Sequence, residues 1–156
     1  MKLNRIQLSL VQMIQFFRRL FALPLHIYTD GSHKGKWGSW SYVLVCNDKI
    51  IGESSGREKK TNSHRMEFQG AIEALKGLPH GTTAVLHTDS RVLINSVTKK
   101  NRRPAVNPDQ MEVLENLMAK HKISWLWVKA HSGNVLNEHC DRLCISARKN
   151  SSSMSK

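Results

Sequence analysis

From Leu25 onward the apolar positions change period several times, and each change marks an element. Leu25, Ile27 and Thr29 alternate with His26, Tyr28 and Asp30, a two-residue repeat that predicts a strand. Ser39 to Cys46 (SWSYVLVC) and Lys49 to Glu53 read as two more strands, joined by a tight turn at Asn47-Asp48. Gly56 to Asn62 is polar and basic and reads as a loop. Ser63 is suited to cap a helix, and from there the repeat lengthens. Phe68, Ala71, Ile72, Leu75 and Leu78 fall on one helical face, which Pro79 and Gly81 bring to an end. Thr83 to Thr88 predicts a short apolar strand, and Ser90 to Thr98 a short helix.

The run Lys99-Lys100-Asn101-Arg102-Arg103-Pro104 then breaks the pattern with four positive charges in six residues. Pro108 suits the first turn of a helix reaching about His121, because proline has no N–H to lose there. Ile123 to Val128 predicts a strand whose alternation sends Trp125 and Trp127 toward the core. A glycine-containing loop, Lys129 to Asn134, precedes a final helix from about Leu136. This order of elements predicts a mixed sheet flanked by helices, an α/β domain spanning residues 25–149.

The ends of the chain differ from this domain. Residues 1–24 hold Lys2, Arg5, Arg18 and Arg19 but no acid, with Leu3, Ile6, Leu10, Met13, Phe17 and Leu20 along one helical stripe. An organelle transit segment, a helix for a membrane or partner, and a helix docked on the domain are competing readings. We treat the segment as a basic amphipathic extension. Residues 150–156 form a serine-rich tail that is expected to be disordered.

Composition narrows the function. The 156 residues carry 24 Lys+Arg against 12 Asp+Glu, a net charge of +12, which favours a polyanionic partner such as nucleic acid. With 40% hydrophobic residues the chain is not of the disordered class. No apolar run reaches the roughly 18 residues needed to span a bilayer, so no membrane partner is expected for the domain. Cys46, Cys140 and Cys144 are odd in number and lack a C-x-x-C spacing, which points to packing in a reducing compartment. Cytoplasm is the default location, with an organelle open through residues 1–24. Nothing in the sequence indicates an oligomer, so a monomer is expected.

The scarce acids carry the chemistry. Asp30 lies on the first strand in YTDGS, followed by a glycine that would let the backbone turn, and Asp89 ends the fourth strand in HTDS. If those strands are parallel neighbours, both carboxylates emerge at one sheet edge, where open α/β sheets place ligands. Glu67 starts one helix and Asp141 another, so four acids can converge there. At an effective dielectric near 20, two such charges about 4 Å apart repel by roughly 4 kcal/mol. Divalent cations relieve this, and all-oxygen ligation favours magnesium or manganese over zinc. Taken singly, each acid is better explained as a turn, cap or helix-start residue.

Five motifs together resemble type 1 ribonuclease H, in that family's order: YTDGS (28–32), HRMEFQGAIEAL (64–75), HTDS (87–90), WVKAHSG (127–133) and NEHCDRL (137–143). The resemblance covers about Leu25 to Lys149. It implies the ribonuclease H-like fold, a five-stranded mixed sheet in order 3-2-1-4-5 with helices on both faces. It also implies an endonuclease that cuts the RNA strand of RNA–DNA hybrids by a two-metal-ion mechanism, leaving 5′-phosphate and 3′-hydroxyl ends. Asp30, Glu67, Asp89 and Asp141 match the family's metal-binding catalytic acids, with two Mg2+ ions expected and Mn2+ as the alternative. His131 matches the histidine that shuttles a proton or assists product release.

The resemblance further suggests that Gly31, Ser32, Ser63 and Arg65 touch the substrate backbone or sugars. Lys99, Lys100, Arg102 and Arg103 stand where relatives carry a longer basic protrusion, and a solvated charged turn explains them equally well. Two features depart from the family. Ser63 replaces the usual asparagine four residues before the catalytic glutamate, and HKGKWGSW replaces a glycine-rich turn. Trp37 in that stretch has no assigned role. A proofreading-type exonuclease is disfavoured, since Gly31 and Ser32 follow Asp30 where a D-x-E pairing would be needed. A binding module with a dead site is disfavoured by the presence of all four acids.

Overall fold

In the computed structural model the described residues are 24–99 and 106–149. The 1–24 extension except Pro24, the tail, and Lys100, Arg102 and Arg103 lie outside them. The strands are β1 (Leu25–Lys34), β2 (Trp37–Cys46), β3 (Lys49–Lys59), β4 (Thr83–Thr88) and β5 (Lys122–Trp127). The helices are α1 (Ser63–Lys76), α2 (Arg91–Thr98), α3 (Pro108–Met118) and α4 (Val135–Lys149). The sheet has five strands in the order β3-β2-β1-β4-β5. β1–β2 and β2–β3 are antiparallel, while β1–β4 and β4–β5 are parallel. None of the described helices is long and apolar enough to cross a membrane.

Several boundaries differ from the sequence reading, each for a backbone reason. Gly31 does not turn the chain: β1 continues through it, paired with Trp40, and the turn falls at Gly35 (φ 63°). The stretch read as a loop from Gly56 is still strand, because β2 supplies partners as far as Trp37↔Lys59. Pairing holds β3 there although its side chains lack an apolar repeat. Asn47 and Asp48 both take positive φ (51° and 58°), which matches the twist of a two-residue hairpin. Asn62, not Ser63, caps α1, its Oδ1 accepting the Arg65 amide at 3.0 Å. Trp127 is 38% exposed, so only Trp125 of that pair packs against the core.

Helix α1 supplies more of the core than any other element. Phe68, Ala71, Ile72 and Leu75 meet Leu25, Ile27 and Leu86 of the sheet and Leu114 of α3, all buried. Burying each large side chain there contributes about 1.5–3 kcal/mol. The opposite sheet face takes α4, where Cys140 packs with Val43 and Val45. Burial raises the Cys140 and Cys144 thiols far above the usual range, as suits packing groups.

The close approach of α1 to β1 positions the site. A Cβ at Gly31 would fall on the Glu67 amide nitrogen and the Met66 carbonyl carbon. From the helix side, a Cβ at Gly70 would stand 3.0 Å from the Ser41 carbonyl oxygen and 3.1 Å from that of Asp30. Helix backbone therefore lies directly on strand backbone. Gly31→Ala should cost about 3 kcal/mol or more, because neither backbone can yield cheaply. Gly77→Ala, at φ −82° with open space around it, should be neutral or slightly stabilising. Thermal unfolding of both variants checks this; equal midpoints would contradict the packing argument.

Candidate active site

The parallel register builds the acid pair. Tyr28 pairs with His87, and the same offset carried two residues further sets Asp30 opposite Asp89. Both positions lie at the carboxyl edge of the sheet. Glu67 arrives from α1 because Gly31 lets that helix settle on β1. One carboxylate oxygen from each of Asp30, Glu67 and Asp89 lies within 4.8 Å of the others. Asp30 and Glu67 are 7% and 8% exposed, so little water reaches them.

The electrostatics follow from this crowding. Burial, then the charge of Asp89, pushes Asp30 up to about 6. Burial, then Asp30 and Asp89, holds Glu67 well above the usual carboxylate range. Asp30 Oδ2 and Glu67 Oε2 are both buried without a hydrogen-bond partner. Buried polar atoms are rarely left so, and an acceptor-only set of oxygens fits a hard divalent cation. These three acids are the residues that could hold one.

Asp141 stands outside this group. It raises Asp30 only through its charge, as a minor contribution from α4. One turn earlier on the same helix, Asn137 is the residue that touches the cluster, its Nδ2 donating to Asp89 Oδ2 at 3.1 Å. The sequence reading missed Asn137, although its i,i+4 spacing from Asp141 placed it on the same helical stripe. It also read Trp127 as core. The indole N–H instead donates to the Asp89 carbonyl at 3.1 Å, and the Arg91 guanidinium lies 4.2 Å from the Trp127 ring centroid. Trp127 thus fixes the backbone that carries Asp89.

His131 lies exposed in the loop before α4, in the left-handed region (φ 50°), with Gly133 at φ 85°. The loop is tied at its base: Ser132 donates to the Lys129 carbonyl at 2.7 Å, and the Gly133 amide donates to Glu138 at 3.1 Å.

The expected substrate-contact residues are dispersed. Gly31 is buried under α1. The Ser32 hydroxyl meets the Arg148 guanidinium and, at 3.2 Å, Ser39. Ser63 and Lys99 are exposed. Arg65 is engaged by Asp109 through two bonds of 2.6 and 3.0 Å, which joins the starts of α1 and α3. That guanidinium holds Asp109 down at about 2. Thr61 Oγ1 and Asn107 Nδ2 are buried and unpartnered, and neither residue falls in a periodic apolar pattern that would have marked it.

Comparison with known proteins agrees with this arrangement. The RNase H family model matches residues 24–149. Ribonuclease HI of Synechocystis is 36% identical over 139 residues, covering 80% of this chain and 87% of that protein. Among solved structures, LC9-RNase H1, a type 1 RNase H with the type 2 active-site motif, aligns with a TM-score of 0.70 at 21% identity. It covers 81% of this chain and 72% of its own. LC11-RNase H1 in complex with an RNA/DNA hybrid aligns at 0.62 and 15% identity, over 80% of this chain and 99% of its own. With five motifs in order, the 3-2-1-4-5 sheet and clustered acids at its edge, the chain belongs to the type 1 ribonuclease H family.

Proposed function

We propose that this protein is an endonuclease that hydrolyses the RNA strand of RNA–DNA hybrids, using two magnesium ions and leaving 5′-phosphate and 3′-hydroxyl ends. The observation that carries the reading is the trio Asp30, Glu67 and Asp89, the first two of them buried, with two oxygens lacking any partner. Family membership supports a divalent-metal hydrolase. The all-oxygen donor set favours Mg2+, with Mn2+ as the alternative. The hybrid held by LC11-RNase H1 supports the substrate class.

Asp30, Glu67 and Asp89 would hold the ions, with Asp141 completing the set from α4. When bound, the ions stabilise the attacking and leaving oxygens of an in-line phosphoryl displacement. The protein's own contributions are positional. Asn137 and Trp127 orient Asp89 from its side chain and its backbone. His131, exposed on its loop, would carry a proton to or from solvent or speed product departure. Selection of the hybrid falls to backbone and 2′-hydroxyl contacts, since the 2′-hydroxyl distinguishes RNA from DNA. Ser63 is exposed at the first turn of α1, and Thr61, two residues before it, carries an unpartnered hydroxyl. Lys99 opens the basic run that includes Lys100, Arg102 and Arg103, which would add phosphate contacts. Buried thiols with no disulfide, together with bacterial relatives, support a cytoplasmic location.

Cleavage of an end-labelled RNA strand within a hybrid tests the reading. Cutting should require Mg2+, stop with a chelator, and fall by roughly 100-fold or more in Asp30→Asn and Glu67→Gln. Undiminished cleavage by Asp30→Asn would refute the assignment. A stability measurement gives an independent check. Asp30 titrates at about 6 folded but 3.8 as an ordinary carboxyl, so the folded state keeps a proton that the unfolded state loses. Metal-free stability should therefore fall as pH rises from about 4 to 6, by roughly 3 kcal/mol. Asp30→Asn should then be the more stable protein at pH 7 without metal, the difference vanishing toward pH 4. A difference that did not change with pH would contradict this.

A further inference from the structure

Trp37, left without a role by the sequence, sits at a second built feature. It lies on the α4 side of β2, the side on which the Ser41 hydroxyl donates to the Cys140 carbonyl at 2.8 Å. Where α4 ends, a cavity of about 440 Å³ opens, lined by Lys34, Trp37, Ile145, Arg148 and Lys149. From β3, the Arg57 guanidinium carbon and Lys59 Nζ stand 4.3 and 4.7 Å from the Trp37 ring centroid. Lys34, Arg57, Lys59, Arg148 and Lys149 thus gather around one indole.

Nothing within the described residues neutralises this gathering. The ion pairs there join Arg65 to Asp109, Lys76 to Glu73 and His139 to Glu53, and none involves these five cations. Arg57 Nη1 is buried with no acceptor, and Arg148 meets only the uncharged hydroxyls of Ser32 and Ser39. Like charges held together with an unpaired inward donor leave a site short of an anion. The Trp37 ring already carries two cations, so its place is to order them and not to stack a base.

We propose that this cavity is a second contact for the nucleic acid, taking backbone phosphates of the hybrid several nucleotides away from the acid cluster. The proposal rests on the hybrid being the substrate. β1 is the ruler between the two sites: Lys34 lies four residues past Asp30, about 13 Å at 3.3 Å per residue. That distance corresponds to about four nucleotides along one strand. The ligand is a phosphodiester backbone, read without regard to sequence.

The test uses the full chain with a chelator present, so that nothing is cut. Fluorescence anisotropy would follow a labelled hybrid of about 18 base pairs over a range of salt concentrations, with Lys49→Gln/Lys122→Gln, two exposed lysines outside the cavity, as the control for lost charge. Lys34→Gln/Lys149→Gln changes two exposed side chains, and Arg57→Gln tests the inward cation. Lys34→Gln/Lys149→Gln should bind the hybrid about 10-fold more weakly and lower the salt slope by about two, with little change for the control pair. Arg57→Gln should act in the same direction. An unchanged slope, or equal weakening by the control pair, would overturn the proposal. Magnesium-dependent cutting by the wild-type protein reports separately on the acid cluster, so failure of the cavity and failure of the hydrolase reading are distinguishable.

Discussion

Mutual repulsion among Asp30, Glu67 and Asp89 is the constraint around which the rest of the domain is arranged. Oxygens of three acids within 4.8 Å, two of them on side chains under 10% exposed, would separate if the backbone allowed it. It does not, because α1 rests on β1 through Gly31 and Gly70, with no side chain between the two backbones to compress. Parallel pairing of β1 and β4 fixes the other side of the trio. Core packing of Phe68, Ile72 and Leu75 offsets the electrostatic cost. Stability is thereby given up at one sheet edge and recovered across its faces, as expected where a site must be ready before its cation arrives.

The parts legible in the sequence were those written in side-chain chemistry. The alternation of Leu25, Ile27 and Thr29 and the helical stripe of Phe68 to Leu75 both report burial on one face, and both held. Asp30 and Asp89 stood out because acids are scarce in so basic a chain and each follows an apolar stretch of strand. The parts that were not legible depend on backbone partners. Gly31 reads as a turn residue, yet its missing Cβ is used for helix approach. β3 extends to Lys59 since β2 is there to pair with it, and no apolar repeat announces that. Trp127 alternates like a core residue, but β5 is an edge strand, and the indole finds a polar task at Asp89.

The position of Asp141 follows from the way α4 packs. Cys140 and Cys144 face the sheet, their thiols donating to the Tyr28 and Asp30 carbonyls at 3.3 and 3.5 Å. Asp141 follows Cys140 by one residue, about 100° around the helix, and so is turned away from the axis of contact. Asn137, a full turn before Asp141, touches Asp89 with a neutral amide. The arrangement keeps a fourth negative charge out of the tightest part of the cluster while leaving it near enough to act on Asp30. A carboxylate at that distance is less costly to the metal-free protein than one inside the trio.

The net charge of +12 and the acid cluster then serve different ranges. Screening at physiological ionic strength has a length of about 8 Å, so cations about 13 Å along β1 contribute little to neutralising Asp30. Long-range attraction toward a polyanion survives, since it sums over many charges and acts before contact. Basic residues on the outside can therefore draw in a nucleic acid without relieving the repulsion inside. A lysine close enough to pair with Asp30 would relieve it, but would also take up the oxygens that a divalent ion needs. Among the described residues no such pair is formed. The same physics that leaves the trio strained keeps its oxygens available, and it separates the groups that attract the substrate from those that hold the ions.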